Sequence, residues 1–175
     1  MKWREHKEKW RDCQLCELAE CRGRVVLARG SVPCEVLFVG EAPGPSEDVL
    51  GQPFMGPAGK LLDSILKHTD LKWALTNLVA CFPKEIGKSG WHEPSKESIE
   101  ACAPRLREFV GMCKPRVIVC VGGLAEMWAP RVLWKRYKGE FRNMIHPAAI
   151  LRMDISQRSL AMKRCIEIVE SLRRE

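Results

Sequence analysis

The sequence predicts an α/β fold in which helices cover both faces of a parallel sheet. Two continuous apolar runs, residues 36–39 and 117–121, have the length and composition of strands that are buried on both faces. Helical patterns alternate with the apolar runs along the chain, as in βαβ units. Because no internal repeat or linker-like segment interrupts the 175 residues, we expect one domain over residues 1–175.

Four strands are predicted, and in chain order they are residues 36–39, 73–80, 117–121 and a short segment that ends at Ile145. Glycine stops the first and the third of them, at Gly40 and Gly122. Ligands of parallel sheets bind at the carboxyl ends of the strands. We therefore expect one site where three strand-end segments converge, namely 40–44, 77–81 and 146–147.

Helices are predicted between and after the strands. Apolar residues at helical spacing indicate a helix over residues 58–68, and Ser95 is a candidate N-cap for the next one, which contains Pro104. Another helix begins at Leu124. The tail, residues 156–174, is an amphipathic helix whose expected inward residues are Leu160, Ile166, Val169 and Leu172. Segments 41–57 and 82–94, which contain several Gly and Pro, are predicted loops.

Charge and hydropathy indicate the kind of partner and the compartment. The formal net charge is +7 and the pI is about 9.0, which is compatible with a polyanion because Lys and Arg displace counterions from phosphate. No stretch of about twenty apolar residues is present, so no membrane span is predicted. The charged N-terminus is not followed by an apolar signal segment. We expect a cytoplasmic protein that does not bind a membrane.

Nine cysteines require an explanation other than disulfides in a reducing compartment, and metal binding is a usual one. Cys13 and Cys16 form a two-ligand Cys-x-x-Cys motif, while Cys81 ends a strand and Cys102 lies on the following helix. Four thiolates hold zinc or an iron–sulfur cluster, and the residue types leave that choice open. The alternative is that they are small buried hydrophobic residues. The predicted non-ligands are Cys21, Cys34, Cys113, Cys120 and Cys165.

The loop after the first strand has the sequence Gly40-Glu41-Ala42-Pro43-Gly44, with Glu47 and Asp48 behind it. A strand that opens into such a loop leaves backbone N–H groups free to meet a ligand. Its glutamates can position a water molecule or stabilise positive charge. An ordinary turn with solvated acids is the alternative interpretation.

Two residues with ring side chains, Phe54 and His146, are candidates for contact with a ligand. Phe54 lies in a Gly/Pro-rich loop, where a rigidly held ring can stack on a nucleobase; a plug into the core is the alternative. His146 follows the last strand, where an imidazole can donate to a developing oxyanion; a structural histidine is the alternative. The order of these features along the chain is more specific than any one of them.

That order resembles the family-four uracil-DNA glycosylases, the iron–sulfur branch of the uracil-DNA glycosylase superfamily. The match runs from about residue 13 to residue 152. Its motifs are Cys13-x-x-Cys16-x-Leu18, Phe38-Val39-Gly40-Glu41-Ala42-Pro43-Gly44, Glu47-Asp48, the 51–62 block from Gly51 to Leu62, Thr76-Asn77-Leu78-Val79-Ala80-Cys81, Glu100-Ala101-Cys102 and His146-Pro147.

The resemblance implies a three-layer α/β/α architecture with a central four-stranded parallel sheet. It also implies a structural 4Fe-4S cluster, held by Cys13, Cys16, Cys81 and Cys102. The implied activity is monofunctional: uracil is flipped out of the base stack and its N-glycosidic bond is hydrolysed, which leaves an abasic site. The implied setting is base-excision repair of deaminated cytosine.

Residue roles follow from the same resemblance. Phe54 would stack on uracil and Asn77 would hydrogen-bond its Watson–Crick edge, while His146 and the backbone amides of Gly40 and Ala42 would hold O2. Glu41 and Glu47 are the implied catalytic carboxylates, which favour the positively charged sugar and orient water. The implied DNA contacts are Pro43, Gly44, Pro147 and Arg152.

Three departures from relatives stand out. Ala42 occupies the position where the best-known superfamily members have a water-activating aspartate, a difference that family four shares. Gly44 replaces the bulky ring that bars thymine in those members. The segment from Cys81 to Cys102 is longer than usual in the family and lacks its Asn-Arg element.

Other functions are compatible with parts of this pattern. They are a catalytically weak DNA-binding relative of the same fold, an iron–sulfur electron-transfer protein and a four-cysteine zinc protein. The expected partner is uracil-containing DNA, single- or double-stranded, and the expected state is a monomer. A sliding clamp is a plausible partner for a repair enzyme, although the sequence contains no convincing docking peptide.

Overall fold

The computed structural model describes residues 2–84 and 92–173. A five-stranded sheet with the order β1-β3-β2-β4-β5 forms its centre. The strands are β1 (Ala28–Gly30), β2 (Val36–Gly40), β3 (Trp73–Asn77), β4 (Val117–Val121) and β5 (Glu140–Met144). β2 to β5 are mutually parallel, and β1 pairs antiparallel with β3. The predicted α/β class is confirmed, and the four parallel strands are present.

The sequence analysis missed β1, so the expected purely parallel, four-stranded sheet is wrong by one strand. β1 has only three residues, of which Gly30 is exposed and the other two are half-buried. A strand this short has no apolar run or alternation that distinguishes it from a loop. It forms because its backbone pairs with the free edge of β3.

Helices lie on both faces and at the ends of the sheet. They are α1 (Trp3–Trp10), α2 (Pro45–Leu50), α3 (Pro57–Leu66), α4 (Lys96–Cys113), α5 (Gly123–Val132), α6 (Pro147–Leu151) and α7 (Ile155–Ser171), with a 3₁₀ turn at Glu17–Glu20. None of the helices in the described ranges is long and apolar enough to cross a bilayer.

Side chains of β2 and β4 alternate between two cores. Leu37, Val39 and Ile118 belong to the core under α4 and α5. Phe38 and Val119 belong to the core under α3, α6 and α7. Because both faces are covered, every residue of these two strands is buried, which explains their continuous apolar sequence.

Helix α4 begins as predicted and continues through its proline. The Ser95 side chain accepts a hydrogen bond from the backbone N–H of Ser98 over 3.0 Å. Pro104 has no N–H, so the carbonyl of Glu100 loses its helical hydrogen bond. Both residues are exposed, and water can therefore reach the unpaired carbonyl. The helix therefore continues to Cys113. Cys102 and Arg105 both lie on this one helix.

Two further predictions on helices are wrong. Segment 41–57 is not entirely a loop, because it contains α2, which has Pro45 in its first turn and Gly51 in the left-handed region after its end, at φ 74°. Leu160 does not face inward: it is 51% exposed, whereas Val169 and Leu172 are buried as expected. The inward stripe of α7 instead runs through Ala161 and Cys165. The predicted loop 82–94 lies partly outside the described residues.

Candidate functional site

A cleft of about 1040 Å³ opens at the carboxyl ends of the parallel strands. It brings together side chains that are far apart in the sequence, and the predicted site residues among its lining are Glu41, Ala42, Gly44, Glu47, Phe54, Asn77, His146 and Arg152. The expected convergence of the strand-end segments is confirmed. Pro43 and Pro147 are buried and do not line the cleft.

Phe54 is held in an uncommon backbone conformation, with φ at 58°. Arg29 fixes its loop from behind, because Nε donates to the Pro53 carbonyl over 2.8 Å and Nη2 donates to the Phe54 carbonyl over 3.1 Å. Gly59 packs so closely that a Cβ there would lie 1.8 Å from the Phe54 oxygen. The ring is only 6% exposed and therefore has a defined position in the cleft wall.

The rings of Phe54 and His146 lie nearly parallel. Their centroids are 6.3 Å apart and their planes differ by 29°. Both residues line the cleft, Phe54 from the loop before α3 and His146 from the end of β5. These two rings form one wall of the cleft.

Asn77 ends β3 and stands opposite Gly40 in the sheet register. It is 2% exposed, and within residues 2–84 and 92–173 its side-chain amide has no hydrogen-bond partner. A Cβ at Gly40 would lie 2.4 Å from Asn77 Oδ1 and 2.5 Å from Phe54 Cζ. Only glycine at position 40 leaves room for both side chains, and the Asn77 amide is free to bind a ligand.

His146 is the N-cap of α6, and its Nδ1 accepts a hydrogen bond from the Ala148 N–H over 3.1 Å. Burial, with help from the Arg152 guanidinium and against the effect of Glu47, lowers the pKa of His146 to about 4. The imidazole is therefore neutral at pH 7. Because Nδ1 is the acceptor, the single ring proton belongs to Nε2, which is a hydrogen-bond donor.

Glu47 is engaged by the backbone of its own loop. Its two carboxylate oxygens accept hydrogen bonds from the N–H groups of Gly44, Met55 and Gly56, at 2.8–3.0 Å. This buried carboxylate joins the start of α2 to the Phe54 loop. Glu47 thus shapes the cleft in addition to contributing a negative charge.

Glu41 lies near the beginning of α5. Burial raises the pKa of its carboxyl and Glu93 adds to the rise, while the Leu124 N–H and Arg152 oppose it. Gly122, at φ 97°, packs against it: a Cβ there would lie 2.7 Å from Glu41 Oε1 and 3.2 Å from His146 Cβ. The sequence analysis did not assign Gly122 to the site, although the Gly122-Gly123 pair after a strand is the signal that could have done so.

The four predicted ligand cysteines surround a second, small cavity of about 20 Å³. Cys13, Cys16, Cys81 and Cys102 all line it, together with Trp10, Arg22 and Arg105. Burial raises the pKa of Cys81 to about 12, Arg22 opposes this effect and the neighbouring thiols add to it. The effect of Cys13, Cys16 and Cys102 on the pKa of Cys81 shows that the four thiols lie close together.

The donor set of this cavity fits an iron–sulfur cluster, because four soft thiolates converge from three segments of the chain. Among the described residues no three Cys, His, Asp or Glu side chains are placed to hold a single metal ion. The fit therefore rests on the donor type and on the shared cavity. The predicted non-ligands do not line it: Cys34, Cys113, Cys120 and Cys165 are buried elsewhere, and Cys21 Sγ contacts the Lys84 carbonyl at 2.8 Å.

The fold and the cleft define the class of protein. Residues 28–170 match the family model of the uracil DNA glycosylase superfamily. Among solved structures, SMUG2 of Pedobacter heparinus aligns with a TM-score of 0.63 at 14% identity, covering 79% of this chain and 76% of that one. A putative uracil DNA glycosylase of Methanosarcina acetivorans aligns with a TM-score of 0.55 at 15% identity, covering 87% and 99%. At such identities these two structures show the shared fold alone.

Curated relatives give the particular family. A type-4 uracil-DNA glycosylase of Pyrobaculum aerophilum is 34% identical over 163 residues, covering 81% of each chain. Those of Saccharolobus solfataricus and Archaeoglobus fulgidus are 37% and 36% identical, and this chain spans 51% and 56% of their lengths. The chain belongs to the type-4 uracil-DNA glycosylases, a family of hydrolases that act on N-glycosyl bonds.

Proposed function

We propose that this protein is a monofunctional uracil-DNA glycosylase that acts in base-excision repair. It binds uracil-containing DNA, flips the uracil out of the base stack and hydrolyses its bond to deoxyribose, leaving an abasic site. The observation that carries the proposal is the convergence of Phe54, Asn77 and His146 on one cleft, in a chain of the type-4 family.

Base recognition is assigned to Phe54 and Asn77. The Phe54 ring stacks on the uracil ring, and the Asn77 amide accepts from N3–H and donates to O4. Cytosine presents the opposite pattern of donor and acceptor at these two positions. It would leave buried polar groups unpaired, which costs about 1–3 kcal/mol per group.

Departure of the base is assisted by His146. Uracil leaves as an anion, and negative charge develops on O2 as the bond breaks. The Nε2–H of the neutral imidazole donates to this oxygen, and the backbone amides of Gly40 and Ala42 assist. The low pKa of the imidazolium keeps the His146 ring neutral at pH 7. The one proton that remains, on Nε2, is only very weakly acidic, so it is donated as a hydrogen bond and stays on the enzyme through the reaction.

The sugar left behind carries oxocarbenium-like positive charge, which a nearby carboxylate stabilises. Glu41 and Glu47 are the two acidic side chains of the cleft proposed for this role. Glu47 is fixed by three backbone donors and contributes mainly a constant negative charge. Glu41 is restrained by one backbone donor, the Leu124 N–H, and we assign to it the orientation of the attacking water.

We further propose that Cys13, Cys16, Cys81 and Cys102 hold a 4Fe-4S cluster with a structural role. As ligands, these four cysteines would link the N-terminal segment, the segment that follows β3 and helix α4. Of these residues, Cys81 lies in the segment that directly follows β3, the strand that carries Asn77. The cluster would therefore support the wall of the base pocket without taking part in the chemistry.

DNA contacts are assigned to the rim of the cleft. Arg152 is exposed and lines the cleft, so it can reach a phosphate, and Gly44, which caps α2, also lines the cleft. Pro43 and Pro147 are buried in the free protein, so their proposed contact with DNA involves the loop backbone around them.

The test is a glycosylase assay on the purified protein. A labelled oligonucleotide with one uracil is incubated with the protein and then treated with alkali, which breaks abasic sites. We expect cleavage that depends on alkali and on uracil, and none with thymine or cytosine at the same position. Intact DNA, in the presence of a protein with its full iron content, would instead favour a DNA-binding relative without turnover.

A further inference from the structure

Arg105 is the largest fully buried side chain of the described structure, with 1% exposure, and it contacts the end of β3, which carries Asn77. Its guanidinium makes three hydrogen bonds to consecutive residues at the end of β3. Nη1 donates to Thr76 Oγ1 over 2.8 Å, and Nη2 donates to the carbonyls of Asn77 over 2.6 Å and Leu78 over 2.8 Å. One planar group thereby fixes the backbone from which the Asn77 amide projects.

The same side chain also lines the four-cysteine cavity, together with Arg22. Its Nε is buried and has no hydrogen-bond partner in the described part of the chain. All three acceptors of the guanidinium are uncharged, although burying a cation is costly unless an anion is close. Four thiolates that hold a metal cluster would supply such an anion in the cavity that Arg105 lines.

Arg105 is thus placed between two sites that are otherwise separate, the base pocket and the cysteine cavity. Resting on the function proposed above, we propose that Arg105 is a positioning residue. It holds Asn77 in the orientation that uracil requires, and it is stabilised in turn by the negative charge of the loaded cysteine cavity. Base recognition then depends on the cluster through this one side chain.

Two substitutions at position 105 separate the two parts of the proposal. Arg105→Lys keeps the positive charge but loses the planar fork, because one ammonium group cannot reproduce three donations in that geometry. Arg105→Met keeps an apolar stem of similar length but loses the positive charge and the planar fork of donors. The matched control is Arg107→Met, since Arg107 is on the same helix and also donates to a backbone carbonyl, that of Val132, away from β3.

Three quantities are measured on each holoprotein: the iron content, the reduction potential of the cluster and the dissociation constant for free uracil by equilibrium dialysis. We expect Arg105→Lys to keep the iron and the potential but to weaken uracil binding about tenfold, the scale of one charged hydrogen bond. Arg105→Met should weaken uracil binding at least as much and lower the potential, because a cation near a cluster favours its reduced state. Arg107→Met should match the wild type in all three.

A second pair of variants covers the case in which the Arg105 variants do not fold. Thr76→Val removes the side-chain acceptor of Arg105, and Thr76→Ser retains it. We expect weaker uracil binding from the valine variant and recovery in the serine variant. Wild-type uracil affinity in Arg105→Lys and Thr76→Val would overturn the positioning role, and an unchanged potential in Arg105→Met would overturn its electrostatic link to the cluster.

Failure of the glycosylase proposal is distinguishable from failure of this one. The former would be seen in the wild-type protein, as intact uracil-containing DNA. The latter would be seen only in the variants, as wild-type uracil affinity in Arg105→Lys and Thr76→Val or as an unchanged reduction potential in Arg105→Met.

Discussion

The backbone N–H of Ala148 donates to Nδ1 of His146 over 3.1 Å, which assigns the imidazole proton to Nε2. The bond arises because His146 caps the short helix α6, whose second residue is Ala148. A capping bond and a burial effect on pKa together make this histidine a neutral donor. The proposed stabilisation of uracil O2 depends on this relationship.

The first prediction concerns that protonation state. Nitrogen NMR of the imidazoles should show His146 as the neutral Nε2–H tautomer at pH 7 and unchanged at pH 5.5, because its pKa is about 4. His146→Ala identifies the resonance and should slow uracil release by roughly 10²-fold, the usual scale for one oxyanion donor. An imidazolium at pH 6 in the wild type would contradict the assignment.

The second prediction concerns the amide of Asn77. Asn77→Asp should lower kcat/KM for uracil by about 10- to 100-fold, because a carboxylate cannot donate to O4 in a buried position. Asn143→Ala is the control, since Asn143 also lines the cleft but is exposed. Equal losses in the two variants would argue against specific recognition by Asn77.

The third prediction uses two glycines with opposite surroundings. Gly40→Ala should lower the rate of uracil release by about 10²-fold, because its Cβ must displace Asn77 or Phe54. Gly111→Ala, inside α4 with nothing within 4 Å of its added Cβ, should keep activity and raise stability by up to about 1 kcal/mol. Kinetics and chemical denaturation of both variants measure this contrast, and an active Gly40→Ala enzyme would refute it.

The fourth prediction concerns the metal ligands. Cys13→Ala or Cys102→Ala should remove most of the iron and the absorbance near 400 nm, since each takes one thiolate from the cavity. Cys165 is buried in the core under α3, α6 and α7, away from the cavity, so Cys165→Ala should leave the iron content and the absorbance unchanged. Iron analysis and visible spectra of the variants test this prediction. A full iron content in the Cys13 or the Cys102 variant would show that the substituted cysteine is not a ligand.

The fifth prediction concerns stability and pH. Burial is the main cause that lowers the pKa of His6 to about 4, with Arg105 adding to it and Glu108 opposing it. The unfolded chain binds this proton below about pH 6.5 and the folded chain does so only near 4, so stability is full above 6.5 and falls as the pH drops. The loss for this fully buried ring is about 3 kcal/mol once the pH has fallen below 4.

His6→Phe should therefore reduce the decline in unfolding free energy between pH 6.5 and 5, measured by denaturant titration at several pH values. The phenyl ring fits among Trp3, Trp10 and Phe109, which already surround His6. His68→Gln, at a surface histidine, is the control and should leave the decline as it is in the wild type. An unchanged pH dependence in His6→Phe would show that other groups cause it.

Several elements could be predicted because their cause is local. β2 and β4 are continuous apolar runs, and α4 begins at a serine that caps it. The strand-end position of His146 and the Cys13-x-x-Cys16 spacing are likewise visible without a structure. Their roles depended on a family resemblance, because a single histidine or phenylalanine has a structural explanation of equal standing.

Other features were missed or mistaken because distant contacts decide them. β1 exists through its pairing with β3. Leu160 has an apolar side chain at an exposed position because α7 turns its Ala161–Cys165 stripe toward the sheet and leaves Leu160 on the cleft wall. Neither cause appears in the neighbouring sequence.

By itself, the sequence determined the fold class, the positions of the four parallel strands along the chain and the residue types at their ends, because hydrophobic burial and capping act over a few residues. Only the tertiary structure decided the functional states of those residues. The proton on His146 Nε2, the restraint of Glu47 and the place of Arg105 between Asn77 and the cysteines depend on burial and on hydrogen bonds between segments. Protonation states and hydrogen bonds in a low-dielectric interior depend on the distances between groups from remote parts of the chain. These distances are set only when the chain folds.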